Sequence, residues 1–496
     1  MLEYRNNRGK AKKEFPASNL CTAGIKTLLD FGIKFNNKYS SYLIDYLLKQ
    51  WENGVPILYV YSSLGWDMDE NELAFKFNYM YTKEAVYENV LYRGDYNFKP
   101  SGFLKTWQEM VIKEVCGNTP MEFVLAAGFA SPVLARLDET CNLGAMLINL
   151  SNTTTKGKTT AAMLAASIFG NPKIGCSTML SYNATKNALP ETIAKFNGIT
   201  VAIDEAAILK ARGLSKLLYA LCSGSTKSRI KSSKGDISLG KVNHFSNVII
   251  STAEFDLLNA NSDGGLRVRV FEINDTFTTS AKNSNRIKKV ISHNYGQAGI
   301  EFINHLLDNH GTDMEQGHSA IIEELKKAIT EKTDITDRLI ERFAVILLAT
   351  KYCNDCKSFG FTLNYKALFD YTVNLIQDID RKQNYEERIR DIILEDYTMN
   401  EYAYFPYEKR NLPMYTGGKI RGYVDSKGDY NFFYIMPSIL KQLMNNEGVF
   451  EVNKILSRLR ASGTLLTEGE DHLMKRVNFK NKPRISMYCF RFKEGE

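Results

Sequence analysis

The chain has 496 residues, 44% of them apolar and 24% charged, with a formal net charge of +7. That is the composition of a folded chain rather than a disordered one, with room for about three domains at ~100 to 200 residues each. Met1 is followed by Leu2, Glu3 and Tyr4 without an apolar core. The apolar stretches Phe123 to Leu137 and Phe343 to Thr350 are broken by Gly128, Pro132 and Arg136 or are too short to span a bilayer. A secreted or membrane-spanning class is therefore not expected, and the cytoplasm is the expected location.

The first stretch, residues 1–105, reads as an N-terminal accessory domain of α+β type. It opens with a basic arm, Arg5, Arg8, Lys10, Lys12 and Lys13, and contains a helix at Ser41 to Trp51 and a strand-like run at Pro56 to Tyr61. Its many aromatic residues read first as core, with base stacking as the alternative. Two helical patterns follow from Thr106 to Leu137. Next comes an apolar strand, Ala145 to Leu150, then the stretch NTTTKGKT at 152–159, then a helical run, Ala161 to Phe169. A loop between strand and helix can turn backbone N–H groups on an anion, a lysine can reach the β and γ phosphates, and a hydroxyl can hold Mg²⁺. Gly157, Lys158 and Thr159 supply those parts, and Asn152, Thr153, Thr154, Thr155, Lys156 and Thr160 complete the candidate nucleotide-binding segment. Asn152 stands where the G-x-x-x-x-G-K-[ST] pattern has its first glycine. Asparagine tolerates a left-handed backbone better than most residues. A turn capped by Thr153 or Thr154 is the alternative.

A second buried strand, Ile199 to Ile203, ends in Asp204 and Glu205, with a continuous apolar run of the parallel-sheet kind. Asp204 is a candidate partner for Mg²⁺ and Glu205 a candidate base for water; an acidic helix start is the other reading. The segment Lys227 to Lys241 has a turn signal at Lys234, Gly235 and Asp236 and reads as a β-hairpin. Lys227, Arg229, Lys231, Lys234 and Lys241 make it basic, which suits either a phosphate backbone or water. A third strand at Val248 to Ile250 ends in Ser251 and Thr252, hydroxyls that can sense the γ phosphate or cap a helix. In GGLRVRVFEI, 264–273, alternation predicts a strand with Arg267 and Arg269 on one face, solvated or serving as an arginine finger.

Helical spacing at Ala298 to Leu307, Ile321 to Ile329 and Ile335 to Tyr352 predicts a helical lid. On its last helix Arg338 or Arg342 could reach back to the nucleotide, with surface pairing to Asp334 or Glu341 as the other reading. Cys353 and Cys356, with no second pair nearby, read as two positions on one buried helix rather than metal ligands. A break at Tyr404 to Gly428 reads as a linker or loop. Helices at Pro437 to Asn445 and Glu451 to Ala461, then strands at Thr464 to Thr467 and Ser486 to Phe492, give the order of a winged helix. Lys454, Arg458 and Arg460 lie on its candidate recognition helix.

Together these residues carry a resemblance. INLSNTTTKGKTTAA, NATKNAL at 183–189, AIDEA, STAEF and GLRVRVFE resemble the corresponding stretches of an AAA+ ATPase with a hairpin before its sensor strand. More narrowly, they are similar to those of the Cch-type, MCM-like replicative helicases of staphylococcal cassette chromosome and related mobile elements. The resemblance implies an α/β fold: a P-loop AAA+ core and helical lid over 106–395, with parallel sheet, flanking helices and inserted hairpin, followed by a winged helix over 396–496. It implies ATP and Mg²⁺ as cofactors, Lys158 on the phosphates, Thr159 and Asp204 at the metal, Glu205 on water, Ser251 or Thr252 as sensor and Arg269, with Arg267 as second choice, as finger. The expected function is that of a DNA helicase or translocase in the replication of a mobile element. It would act as a homo-oligomeric ring of six, with single-stranded DNA in the pore, duplex at the winged helix, and element-encoded replication proteins as possible partners. An ATP-dependent initiator or loader, or a nucleotide-bound DNA-binding regulator, is the alternative.

Overall fold

The computed structural model describes residues 2–6, 9–13, 15, 17–54, 59–69, 72–152, 155–183, 188–206, 214–225, 230–233, 236–239, 244–258, 264–310, 313–330, 332, 335–381, 385–411, 420–446, 452–469, 472–479 and 482–493. The chain divides into two compact units, Met1–Val60 and Tyr61–Glu496. The first holds an antiparallel hairpin of β1 (Leu2–Asn6) and β2 (Gly9–Lys13), then helix α1 (Ser40–Glu52), which matches the helical reading of Ser41 to Trp51. Strand β3 (Tyr59–Tyr61) runs over the division.

In the second unit β4 (Gly65–Asp69), β5 (Glu72–Lys76), β6 (Tyr79–Thr82) and β7 (Val86–Tyr92) pair consecutively and antiparallel. Their inward side chains Phe75, Phe77 and Tyr81 join one large core with the helices and sheet that follow. Trp66 donates its indole N–H to the carbonyl of Pro132 at 2.8 Å. Helix α2 (Leu104–Glu114) precedes α3 (Thr119–Cys141), the two expected helices. By length and hydropathy α3 could pass for a membrane span, yet 89% of its most apolar window is buried inside the protein. Its centre is tied by side chains: Thr200 donates to the Gly128 carbonyl at 2.6 Å, and Ser131 Oγ accepts from the Val248 N–H at 2.8 Å.

The central sheet is built from β8 (Met146–Ser151), β9 (Met179–Ser181), β10 (Val201–Asp204), β13 (Val248–Ala253) and β14 (Val270–Ile273). All four of its pairings are parallel, in the order β14-β8-β13-β10-β9. Continuous apolar runs such as Met146 to Ile148 and Val201 to Ile203 are what a sheet covered on both faces requires. Between the strands lie α4 (Lys158–Ser167), α5 (Ala188–Ala194), α6 (Leu214–Cys222) and α7 (Gly264–Arg267). Before β13 comes the expected hairpin, β11 (Ile230–Ser233) antiparallel to β12 (Asp236–Leu239). Helix α4 packs on β10 and β13, and Gly128 of α3 lets α4 approach: a Cβ there would meet Ala165 Cα at 3.2 Å.

The expected strand over 264–273 is corrected. Gly264 to Arg267 form a helical turn and only Val270–Ile273 is strand. Leu266, Val268 and Val270 are all buried, so the apolar alternation came from core positions on two different elements.

Helices α8 (Ala281–Ile291), α9 (Gln297–Asn309), α10 (Met314–Ala328), α11 (Thr336–Asp355) and α12 (Tyr365–Arg381) follow, including the three predicted from helical spacing. Cys353 lies in α11 and Cys356 caps it, both buried with free thiols. Helix α13 (Tyr385–Met399) leads to β15 (Tyr404–Pro406), β16 (Gly422–Lys427), β17 (Tyr430–Ile435), α14 (Pro437–Asn446), α15 (Val452–Ala461), β18 (Leu465–Leu466), β19 (Lys475–Phe479) and β20 (Lys482–Lys493). The stretch read as a linker, Tyr404 to Gly428, contributes β15 and β16 to a sheet ordered β15-β16-β17-β20-β18, with β19 pairing β20. Its aromatic residues explain the difference, since Tyr404 and Tyr423 are buried. Asp396 of α13 takes a two-pronged hydrogen bond from Arg421, at 2.8 and 2.6 Å, and one from Tyr404 at 2.6 Å.

Glu272 on β14 accepts from Asn149 Nδ2 at 2.6 Å and from the Leu258 N–H at 3.0 Å. Burial pushes its carboxyl up to about 7 from 4.5, with nearby Asp256 adding to the rise. A raised acid holds its proton longer in the folded chain, so its stabilising contribution is complete below pH 4.5 and lost as pH rises through about 7. Relative to Glu272→Gln, the native chain should therefore lose up to about 3 kcal/mol between pH 4.5 and 8, at ~1.4 kcal/mol per unit. Urea midpoints of both proteins across that range check this; parallel curves would refute it.

Candidate functional site

The carboxyl ends of β8, β10 and β13 surround a cleft of about 860 Å³, lined by residues 155–160, 204–206 and 252–254 together with Thr278, Ala281, Ser284, Asn285 and Lys288. Strand ends at the point where a parallel sheet changes direction are where such folds hold ligands. The loop after β8 is locked open for α4 by two left-handed residues, Thr155 (φ 75°) and Gly157 (φ 84°). Gly157 is required on two counts, its φ and the wall behind it, since a Cβ there would sit 2.4 Å from Thr278 Oγ1. Phe277 N–H donates to the Lys156 carbonyl at 2.8 Å, fastening the loop to the segment after β14. The first N–H groups of α4 thus face the cleft, an arrangement suited to an anion.

Asn152 does not take the left-handed backbone expected of a glycine substitute. Its side chain donates to the Asp275 carbonyl at 3.0 Å, and its own carbonyl accepts from Lys158 Nζ. The residue therefore holds the loop by its amide. Burial lowers the Lys158 pKa, opposed by the carboxylates of Glu254 and Asp204. Thr153 and Thr154 lie outside the described residues.

Asp204, buried at the end of β10, is the centre of a hydrogen-bonded line. Thr159 Oγ1 donates to it at 3.3 Å, and Thr252 Oγ1 of β13 donates to the same oxygen. Thr252 Oγ1 in turn accepts from the Glu205 N–H at 3.2 Å. Glu205 is exposed in the cleft with φ 65°, a backbone that costs a non-glycine residue of order 1 kcal/mol and is concentrated at functional sites. Carboxylate and hydroxyl oxygens at this spot, Asp204 and Thr159, are hard donors that suit Mg²⁺.

The structure separates the two candidate sensors. Thr252 lines the cleft, whereas Ser251, one residue earlier in the strand, faces the other way and bonds Tyr182 at 2.9 Å. It also separates the arginines from the loop. The Arg269 carbonyl accepts from Leu147 N–H at 2.8 Å, at the amino end of β8, while the loop leaves its carboxyl end. Four residues of strand at ~3.3 Å each put about 13 Å between them. Arg267 is 8% exposed on α7, and Arg338 is exposed on α11. Arg342 is buried beside Arg269; burial first, and that neighbour second, bring its pKa down to about 10. It donates to the Leu143 carbonyl at 2.6 Å. Neither Arg338 nor Arg342 lines the cleft.

Sequence reasoning missed the outer wall. Ala281, Ser284, Asn285 and Lys288 are spaced as one face of α8, and Ser284 Oγ bonds Thr160 Oγ1 at 2.7 Å. Glu254, inside the motif STAEF, also lines the cleft. Of the basic hairpin, Lys231 lies on β11, while Lys227, Arg229, Lys234 and Lys241 lie outside the described residues. Lys454, Arg458 and Arg460 lie on α15.

Parallel sheet, covering helices and a cleft at the strand ends define a mixed α/β chain, and the C-terminal segment is a helix-turn-helix domain followed by a β-hairpin. A family model described as the Cch helix turn helix domain matches residues 385–495, and one described as a domain of unknown function (DUF927) matches 1–237. A solved structure described as "SCCmec type IV Cch - active helicase" superposes with a TM-score of 0.74 at 22% identity, covering 98% of this chain and 89% of that one. The chain thus shares the fold of a Cch helicase from end to end, as the motifs led us to expect. No curated protein matches it in sequence.

Gly157→Ala should drive the loop off Thr278 and weaken binding of a fluorescent nucleoside triphosphate about tenfold or more, ~1.4 kcal/mol, with circular dichroism unchanged. Undiminished binding would show that the loop does not need this conformation.

Proposed function

We propose that the chain is an ATP-driven DNA helicase of AAA+ type that serves replication of a mobile genetic element. It works as a closed ring of six with ATP between subunits. The observation that carries this reading is the line Thr159, Asp204, Thr252, Glu205 beside Lys158, which joins the start of α4 to the ends of β10 and β13 at one cleft. Lys158 would exchange the Asn152 carbonyl for the β and γ phosphates. Thr159 and Asp204 would hold Mg²⁺, which neutralises charge developing on the phosphates. Glu205 would orient the attacking water and take its proton, and Thr252 would hold Glu205's backbone in register with the metal side.

The position of Arg269 supports a shared site. An arginine at the amino edge of the sheet cannot serve its own loop, but it can serve a neighbour's, which is the finger arrangement in trans. Arg267 is the second choice for that role, and Arg338, exposed and near Arg342, is a further candidate from the lid. The hairpin of Lys227, Arg229, Lys231, Lys234 and Lys241 would grip a single strand in the pore, and α15 with Lys454, Arg458 and Arg460 would meet duplex. That the superposing structure is an active helicase adds weight to this reading.

ATP turnover by the purified protein should rise with single-stranded DNA, vanish in Lys158→Ala and fall ~10³-fold in Arg269→Ala. Mixing the two variants should restore turnover, because one interface in the mixed ring then has both an intact loop and an intact arginine. A mixture as inactive as its parts would refute the shared site. DNA-independent binding of ATP without turnover would favour the nucleotide-bound regulator.

A further inference from the structure

The N-terminal unit has a small core, with Ile25 and Leu28 buried and Phe15 set edge-on to Phe31 at 6.5 Å. Helix α1 adds little to it. Leu43, Ile44 and Leu47 are half-buried, and Ser40 is the one residue of α1 that is buried. Tyr39, Tyr42 and Tyr46 instead turn outward, 54, 72 and 59% exposed. Tyr42, Tyr46 and Lys49 lie on one face of α1, and Tyr39, in the turn just before it, sets its ring 6.3 Å from that of Tyr42, so that at ~1.5 Å per residue the three rings span about 10 Å. Of the aromatic residues of 1–105 that the sequence assigned to core, these three are surface residues, whereas Phe75, Phe77, Tyr81 and Phe98 are buried as expected.

Charge decides what this face fits. Residues 1–60 hold nine Lys or Arg against five Asp or Glu, a surplus of four out of the chain's seven. Lys38 and Lys49, both exposed, stand beside the tyrosines, with Asp45 as the acid on their flank. Exposed rings next to ammonium groups match a polymer that alternates flat bases with phosphates, and unpaired bases are free to stack. A self-docking face would bring like charges together. The exposed apolar pair Leu48 and Trp51 lies on the far side of the helix, at ~100° per residue.

We propose that the Tyr39, Tyr42, Tyr46 and Lys49 face of α1 is a stacking platform for single-stranded DNA. It lies in a different unit from the ATP cleft, the basic hairpin and the helix-turn-helix domain.

The test uses the full chain without nucleotide, so that it does not depend on the ATPase reading, and a labelled oligothymidylate. Tyr42→Leu combined with Tyr46→Leu should weaken single-strand binding about tenfold or more, and leave duplex binding and DNA-free ATP turnover unchanged. Tyr42→Phe with Tyr46→Phe should retain affinity, because stacking uses the ring. Lys49→Ala should lower the salt slope of log K by about 0.7. In the wild type, ultraviolet crosslinking to 5-iodouracil DNA should map adducts to residues 39–46, which guards against a variant that fails to fold. Wild-type single-strand affinity in the leucine pair, or crosslinks confined elsewhere, would overturn the proposal. So would a change in assembly mass in that pair, which would make the face a subunit contact.

Discussion

The carboxylate of Asp204 holds the cleft together. It sits where β10 ends, and the two hydroxyls that reach it come from different elements, Thr159 at the start of α4 and Thr252 near the end of β13. That meeting is possible because β13 is inserted between β8 and β10, so the strand carrying the loop and the strand carrying the acid are one strand apart. Had the order been sequential, β9 would stand between β8 and β10, and Thr252 would lie beyond Asp204 on the side away from the loop, unable to join the two. The buried acid is stabilised by these donors, as any carboxylate taken out of water must be.

Much of this was legible in the sequence because it rests on short-range rules. A strand, a glycine–lysine–threonine turn and a helix can be read from adjacent residues, and so can an apolar run that ends in two acids. Ser251 against Thr252 could not be separated so readily, since which one faces the cleft depends on the register of β13, and register is set by neighbours far along the chain. The arginine stretch misled for a related reason. Leu266, Val268 and Val270 do alternate, but they fill the core from a helical turn and a strand rather than from one strand. The wall contributed by α8 had no signature at all. Ser284, Asn285 and Lys288 are ordinary helix-surface residues until the helix is laid beside Thr160.

The segment read as a linker shows another limit. Pro406, Gly422 and Gly428 are breakers by composition, yet Gly422 is needed where β16 passes Tyr434, whose carbonyl would lie 2.5 Å from a Cβ. Glycine in a strand can mark a close approach as well as a loop. Among the aromatic residues of 1–105 the reading as core holds for Phe75, Phe77, Tyr81 and Phe98 and fails for Tyr39, Tyr42 and Tyr46, which are exposed.

Glu205 holds a backbone conformation that glycine or asparagine would adopt at less cost. If the glutamate is kept for the role proposed above, the strain persists only while that role does. In a lineage that no longer needed that side chain, this is a position where drift would be downhill. A glycine or asparagine at 205 in a relative would then be a fossil of a side chain no longer used, recorded in a more stable chain.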